Sequence, residues 1–349
     1  MFKNFIMYFK IAAVFVGTIV GAGLASGQEI TQFFTTYGYK SFIGLIICLI
    51  FYIFSSYIII SISIKYSLNS YKDLIVLVSP GFLGKVTNII TGLFLISGSA
   101  IILAGSGALI SQYFNLSKWI GICTMCIFSL IVLFRDTKGL FEINSFIVPS
   151  LIFVIVTIFI LYLAFYENFS VAHIKSIPYY KNTWIASSIL YSSFNILSSS
   201  GVIVPLSNEI KNKKLLLKSI ILGSIILTVL SFIINLLLLL NIPSIFKYEV
   251  PLLYVANRFG VLIQIMLLGI IWLEMFSTEV SNIYSVSKTL EQTFNISYKK
   301  CCILILLLAI PISQLGFVNL ITFLYPSFGL LGFIFLIQCT LFHFKHCKR

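Results

Sequence analysis

Charge is what this sequence has least of. Only 9% of its 349 residues are Asp, Glu, Lys or Arg, while 59% are hydrophobic, a balance that no water-soluble domain of this length could hide from solvent. Histidine is scarcer still: His173, His343 and His346 fall in predicted loops or the tail. Neither a Ser/His/Asp set nor a clustered His/Cys metal site is therefore expected within the apolar bulk. A P-loop is lacking too, which leaves no means of using ATP directly within the chain. No enzymatic activity and no cofactor are expected. No cleavable signal peptide is expected either, because Ile11 to Val20 runs on into further apolar sequence. The seven cysteines lie in or at the ends of apolar runs without disulfide or zinc spacing. The CxxC pair Cys123 and Cys126 reads as packing thiols.

What is present is apolar sequence in lengths of about 20 residues, enough to cross the hydrocarbon core as a helix. Ten spans are predicted, at 11–37, 40–64, 86–112, 118–134, 139–165, 183–207, 215–241, 260–287, 300–317 and 319–342. They make one polytopic, all-α membrane domain over 1–349. The formal charge of +13 is a topology signal and not a nucleic-acid footprint: with the spans alternating, 17 of the 23 Lys and Arg fall on the side of the termini and six on the other. That bias puts both termini in the cytoplasm of a cell whose plasma membrane holds the protein. Asp136 and Glu142 near the interface are expected to be solvated, or paired with Arg135 or Lys138. Between spans 7 and 8, Pro243 to Gly260 predicts an interfacial or re-entrant helix acting as a lid or a cap. Tyr71 to Phe82 has similar character on the opposite side.

An odd number of spans per half makes any repeat of five and five an inverted one, 11–165 against 183–342. Secondary transporters use that arrangement to build a midplane site from discontinuous helices. The first span supplies a candidate in GTIVGAGLASGQE, Gly17 to Glu29. Glycines ease departure from helical geometry, and freed backbone in a membrane must meet a cavity, a ligand or polar neighbours. Helix packing alone would explain Gly17 and Gly21, but not Gln28 and Glu29 at the same depth. In span 3, Gly92, Gly98, Gly105 and Gly107 do read as packing positions. Span 6 carries Ser198, Ser199, Ser200 and Gly201 about where span 1 is interrupted, with Pro205 beyond. Spans 1 and 6 are both expected to be broken. In span 8, Glu274, Thr278, Ser281 and Ser285 line one face with Ser277 beside it. This polar seam suits Na⁺ or a proton-carrying carboxyl, or else Glu274 only bonds a neighbouring helix. Glu279 points elsewhere, and Glu29 is a gating or proton-linked candidate. Pro149, Pro311 and Pro326 are expected to mark kinks.

The string GAGLASGQEITQFF resembles the YkvI-type amino-acid permeases of bacteria, and Gly21-Ala22-Gly23-Leu24 resembles the glycine motif in the broken first helix of the amino acid, polyamine and organocation superfamily. The resemblance, which extends to the span layout, implies a LeuT-like fold. It implies that backbone N–H groups around Gly21, Ala22 and Gly23 bind a substrate carboxylate, with Ser198, Ser199, Ser200, Gly201 and Ser97 lining the same pocket. It further implies a cation site from the carbonyls of Gly17 and Val20 with Glu274, Ser277 and Thr278. Glu274 departs from the small residue usual there, so the ion stays open between Na⁺, H⁺ and none. The expected function is a secondary active transporter for an amino acid or similar small carboxylate. The alternatives are an amino-acid-sensing receptor subunit on the same fold, or an assembly subunit whose glycines merely pack. Oligomeric state is not legible.

Overall fold

Helices that are apolar nearly all round bury their surface in lipid and in one another. The computed structural model describes residues 2–79, 81–135, 140–165, 171–294 and 296–347, and among them no strand is present. Helix α1 (Phe2–Ile19) is followed by two short helices, α2 (Ala22–Ser26) and α3 (Gln28–Phe33). Next come α4 (Lys40–Tyr66), α5 (Tyr71–Val78), α6 (Phe82–Phe114), α7 (Lys118–Arg135), α8 (Leu140–Phe165) and α9 (Val171–Ser176). The second half holds α10 (Trp184–Ile210), α11 (Lys213–Leu239), α12 (Pro251–Ala256), α13 (Val261–Phe294), α14 (Tyr298–Ser313) and α15 (Phe317–His346). Helices thus stand in all ten predicted segments. Among the described residues, seven are long and apolar enough to cross a membrane: α4, Ile96–Phe114 of α6, Ile147–Phe165 of α8, α10, α11, Val261–Tyr284 of α13, and α15. The apolar stretches of α1 and α7 are shorter, and α14 has 16 residues.

The packing repeats along the chain. Helix α1 packs on α11 as α10 packs on α4, and α6 on α7 as α13 on α14. Likewise α8 lies on α13 as α15 lies on α6, and α14 on α6 as α7 on α13. Each contact has its counterpart five segments later. The tightest approaches use glycine. A Cβ on Gly329 or Gly332 of α15 would sit 2.5 Å from the carbonyl oxygen of Leu190 or Ser193 in α10, so backbone lies directly on backbone, as small residues permit between membrane helices. The span 3 glycines behave as expected: a Cβ at Gly98 would come within 3.0 Å of Asn282, at Gly105 within 2.8 Å of Phe317, and at Gly107 within 2.9 Å of the Lys118 carbonyl. The surroundings of Gly92 are outside the described residues.

The expected break in span 6 is absent, and α10 runs as one helix through Ser198–Gly201. Its serines explain the error. Ser199 Oγ donates to Ile196 O at 3.3 Å, Ser200 Oγ to Leu197 O at 2.6 Å and Ser207 Oγ to Ile203 O at 2.6 Å. Hydroxyls that bond their own helix need no cavity, and α4 and α15 clamp the helix on two sides.

The segment after α11, called the cap below, holds a short helix as expected: 3₁₀ turns at Ser244–Lys247 and Asn257–Phe259 flank α12, whose Leu252, Leu253, Val255 and Ala256 are buried. Helix α5 opens on a reciprocal cap, with Asp73 N donating to Ser70 Oγ and Ser70 N to the Asp73 carboxylate. Pro149, Pro311 and Pro326 lie inside helices. His343 is not in the tail: it is buried in α15 with its ring against Tyr57. Asp136 and Lys138 lie outside the described residues, as do the side chains of Arg135, Glu142, His173 and Ser285.

Candidate functional site

In the first apolar segment helical geometry is interrupted at the glycines, between Ile19 and Ala22. Helix α1 ends at Ile19, Val20 N still reaches Val16 O at 2.8 Å, and Gly21 takes an extended conformation at φ −128°, ψ −167°. Gly27 then turns the chain at φ +82°, a left-handed conformation that favours glycine. A Cβ there would also press on Leu252 of the cap, 2.9 Å away. Among the described residues no hydrogen bond bridges the break between α1 and α2. The last carbonyls of α1, Gly17 to Ile19, and the first amides of α2, Ala22 to Leu24, are therefore the groups such a break sets free. Val20, Ala22, Gly23 and Leu24 are buried, and Gly21 is half-buried with nothing within 4 Å of an added Cβ.

Glu29 lies against this break. It is 2% exposed, and its Oε2 accepts from the Tyr191 hydroxyl of α10 at 3.0 Å. The hydroxyl of Tyr325, on α15, lies beside the same carboxyl. Gly23 faces it so closely that an added Cβ would overlap the carboxyl group. The rings of Phe33 and Phe34 stand 5.2 and 5.1 Å from Tyr191, and Phe194 stacks on Tyr325 at 4.3 Å. The carboxyl thus ties α3 to α10 beside α15, with aromatic rings in its neighbourhood. Beside it, Asn195 donates to the Tyr52 hydroxyl of α4 at 2.8 Å. Tyr191, Tyr325, Tyr52 and Asn195 were not singled out from sequence, although Ser188, Tyr191, Ser192, Asn195 and Ser199 form a polar stripe at helical spacing on α10.

Spans 1 and 6 do meet near their predicted interruptions. Thr18 and Ser199 are the polar members of a narrow cleft between α1, α10 and α11, otherwise lined by apolar side chains such as Phe15 and Ile203. Its free volume is about 10 Å³, room for a single water. Ser198 is half-buried, Ser200 buried and Gly201 exposed, so the four predicted residues face different surroundings. Ser97 is half-buried on α6. A larger groove of about 550 Å³ between α8 and α13, around Pro149 and Gly269, is apolar and open.

The polar stripe of α13 is buried at Glu274 and Ser277 and reaches the surface at Ser281. Glu274 is 1% exposed, and its Oε1 has no partner among the described residues. Ser277 is buried and Thr278 half-buried, with Thr278 Oγ1 donating to Glu274 O at 2.9 Å and Ser281 Oγ to Ser277 O at 2.9 Å. Helix α13 packs against α2, just beyond Val20, whereas a Cβ at Gly17 would face Val148 of α8 at 3.1 Å. Glu279 does point elsewhere: its Oε1 accepts from Ser99 of α6 at 2.5 Å, and its Oε2 has no partner among the described residues. Over the break, Gln112 of α6 exchanges two 2.9 Å hydrogen bonds with the backbone of Val250 in the cap. Lys118 pairs with Glu249 next to it.

No protein-family model matches the chain. It is 29% identical over 327 residues to the uncharacterized membrane protein YkvI of Bacillus subtilis (strain 168), spanning 94% of this chain and 93% of the relative. It is 28% identical over 328 residues to the uncharacterized protein YyaD of the same organism, spanning 94% of each. Among solved structures it resembles Mhp1 in an inward-facing conformation at a TM-score of 0.70 and 14% identity, over 96% of this chain and 77% of that one. It also resembles a substrate-bound, outward-open Na⁺-coupled sialic acid symporter at 0.65 and 16%, over 96% and 78%. The chain is a multi-pass membrane protein with the fold of these transporters.

Proposed function

We propose that the protein is a secondary active transporter of the plasma membrane, moving an amino acid or similar small carboxylate by alternating access with Na⁺ or H⁺ as the coupling ion. The observation that carries this reading is the opened first span, whose freed backbone lies buried among α10, α13 and the cap in a chain folded like two symporters. In this reading α1 to α3 form one span, and α4, α6, α7, α8, α10, α11, α13, α14 and α15 supply nine more. The five-segment shift in packing supports an inverted repeat, and the 17-to-6 division of Lys and Arg supports cytoplasmic termini.

Amides at Gly21, Ala22 and Gly23 hold the solute carboxylate, since the start of a helix favours negative charge. Thr18 and Ser199 line the way out toward the cytoplasm, and Ser97 faces the solute from α6. The carbonyls of Gly17 and Val20 with Glu274, Ser277 and Thr278 form the ion site. The partnerless oxygen of Glu274 supports that role, because a buried carboxyl oxygen without a donor costs free energy unless an ion or a proton meets it. The tie from Glu29 to Tyr191, beside Tyr325, acts as a gate.

Reconstituted full-length protein tests the proposal. Vesicles given an inward Na⁺ gradient or an inward pH gradient should accumulate at least one radiolabelled amino acid above its external concentration, and should lose it when the gradient is collapsed. Binding without accumulation under either gradient would make the protein a receptor instead.

A further inference from the structure

Glu29 has a hydroxyl donor in Tyr191, a second hydroxyl beside it in Tyr325, and no countercharge among the described residues. Among the described residues no Lys, Arg or His pairs with it: the ion pair found is Lys118 with Glu249, and the hydroxyls at the Glu29 carboxyl are those of Tyr191 and Tyr325. A glutamine would offer the Tyr191 hydroxyl an acceptor without the several kcal/mol that burying an ionised carboxylate costs. The latch therefore does not account for the charge. A carboxylate offers about four acceptor positions, and two hydroxyls leave the others unfilled. The rings of Phe33 and Phe34 lie against Tyr191 and that of Phe194 stacks on Tyr325, and aromatic faces attract cations. On the side of the break the carboxyl lies directly against Gly23, which has no side chain to separate the two, and an added Cβ at Gly21 would meet nothing within 4 Å. A buried carboxylate beside the break, with aromatic rings in its neighbourhood, is the chemistry of an ammonium site.

We infer that Glu29 receives the ammonium group of the solute, so that the solute is an amine. The inference rests on the transporter reading and narrows it: a free amino group becomes a requirement, which excludes carboxylates without one. Solute binding would bring the missing positive charge, and the cation would share the carboxylate with Tyr191 or displace its hydroxyl.

The test uses reconstituted full-length protein and the standard amino acids, each beside its N-acetyl derivative and its decarboxylated amine. Thermal shift and uptake are read for both the natural chain and Glu29→Gln, which keeps an acceptor for Tyr191. The expected result is that any amino acid bound by the natural chain loses at least tenfold in affinity on N-acetylation. Glu29→Gln should bring the free amino acid down to the level of its N-acetyl derivative and leave the derivative unchanged. Equal binding of free and N-acetylated forms, or full amine affinity in Glu29→Gln, would overturn the inference while transport stood. If Glu29→Gln fails to fold, the comparison of free and blocked amines on the natural chain decides. No binding and no uptake of any member would overturn both readings.

Discussion

Replacing Gly23 by alanine tests whether the break and Glu29 form one unit. The added methyl would overlap the Glu29 carboxyl, with its Cδ only 2.6 Å away. Helix α2 has little room to retreat, because it packs on α13 and α12, and Gly27 at its far end already touches Leu252. Overpacking of this kind costs about 1–3 kcal/mol. If Glu29 instead swings away, the Tyr191 hydroxyl, 1% exposed, loses its acceptor, at roughly 1–3 kcal/mol for a stranded polar group. By either route Gly23→Ala should destabilise the protein by about 1–3 kcal/mol. Gly21→Ala, two residues away in an ordinary extended conformation with open space around it, should stay within about 0.5 kcal/mol. Thermal unfolding of the purified variants in detergent, followed by intrinsic fluorescence, reads the difference. The double variant Gly23→Ala/Glu29→Ala removes both the methyl's obstacle and the latch, and should be more stable than the sum of its parts by about 0.5–3 kcal/mol. Equal stability of Gly21→Ala and Gly23→Ala, or strict additivity in the double variant, would refute the argument.

Glu274→Gln should abolish gradient-driven uptake while expression stays normal; unchanged uptake and ion dependence would remove Glu274 from the coupling site. Gln112→Ala breaks two hydrogen bonds to Val250, so amide exchange across 244–256 should rise and stability should fall by about 1–3 kcal/mol. Lys118→Ala, whose ion pair with Glu249 is half-exposed, should cost under about 1 kcal/mol and leave that exchange pattern nearly unchanged. Ser99→Ala leaves Glu279 without its donor in a buried site, and should destabilise by roughly 1–3 kcal/mol in the same unfolding assay.

The first span was legible because its anomaly is local. Gly21 and Gly27 each mark a backbone turn, and Gln28 and Glu29 stand where a lipid-facing helix would carry leucine. Span 6 was misread because a serine run has two outcomes that sequence does not separate. The hydroxyls can line a cavity, or bend back to carbonyls three or four residues earlier, and Ser199, Ser200 and Ser207 take the second course. Tyr191 and Tyr325 escaped notice because their partner is remote: Glu29 lies 162 residues from Tyr191 in the chain, and a tyrosine in an apolar helix looks like packing until its hydroxyl finds an acceptor. Glu279 was correctly set apart from Glu274 by helical geometry, but its pairing with Ser99 depends on how α6 meets α13, which periodicity does not encode. The cap was visible as a segment, whereas its attachment through a single glutamine side chain was not.

Gly21 and Gly27 act as two pivots joined by a stiff link. Helix α2 is five residues long, about 7.5 Å at 1.5 Å per residue. A swing of about 10° at the first pivot would therefore carry the second by about 1.3 Å. That displacement, passed on to Glu29 two residues later, would stretch its 3.0 Å bond to Tyr191 past hydrogen-bonding distance. With α10 unjointed, such leverage would belong to the first half of the chain, with the second half as the post against which it turned.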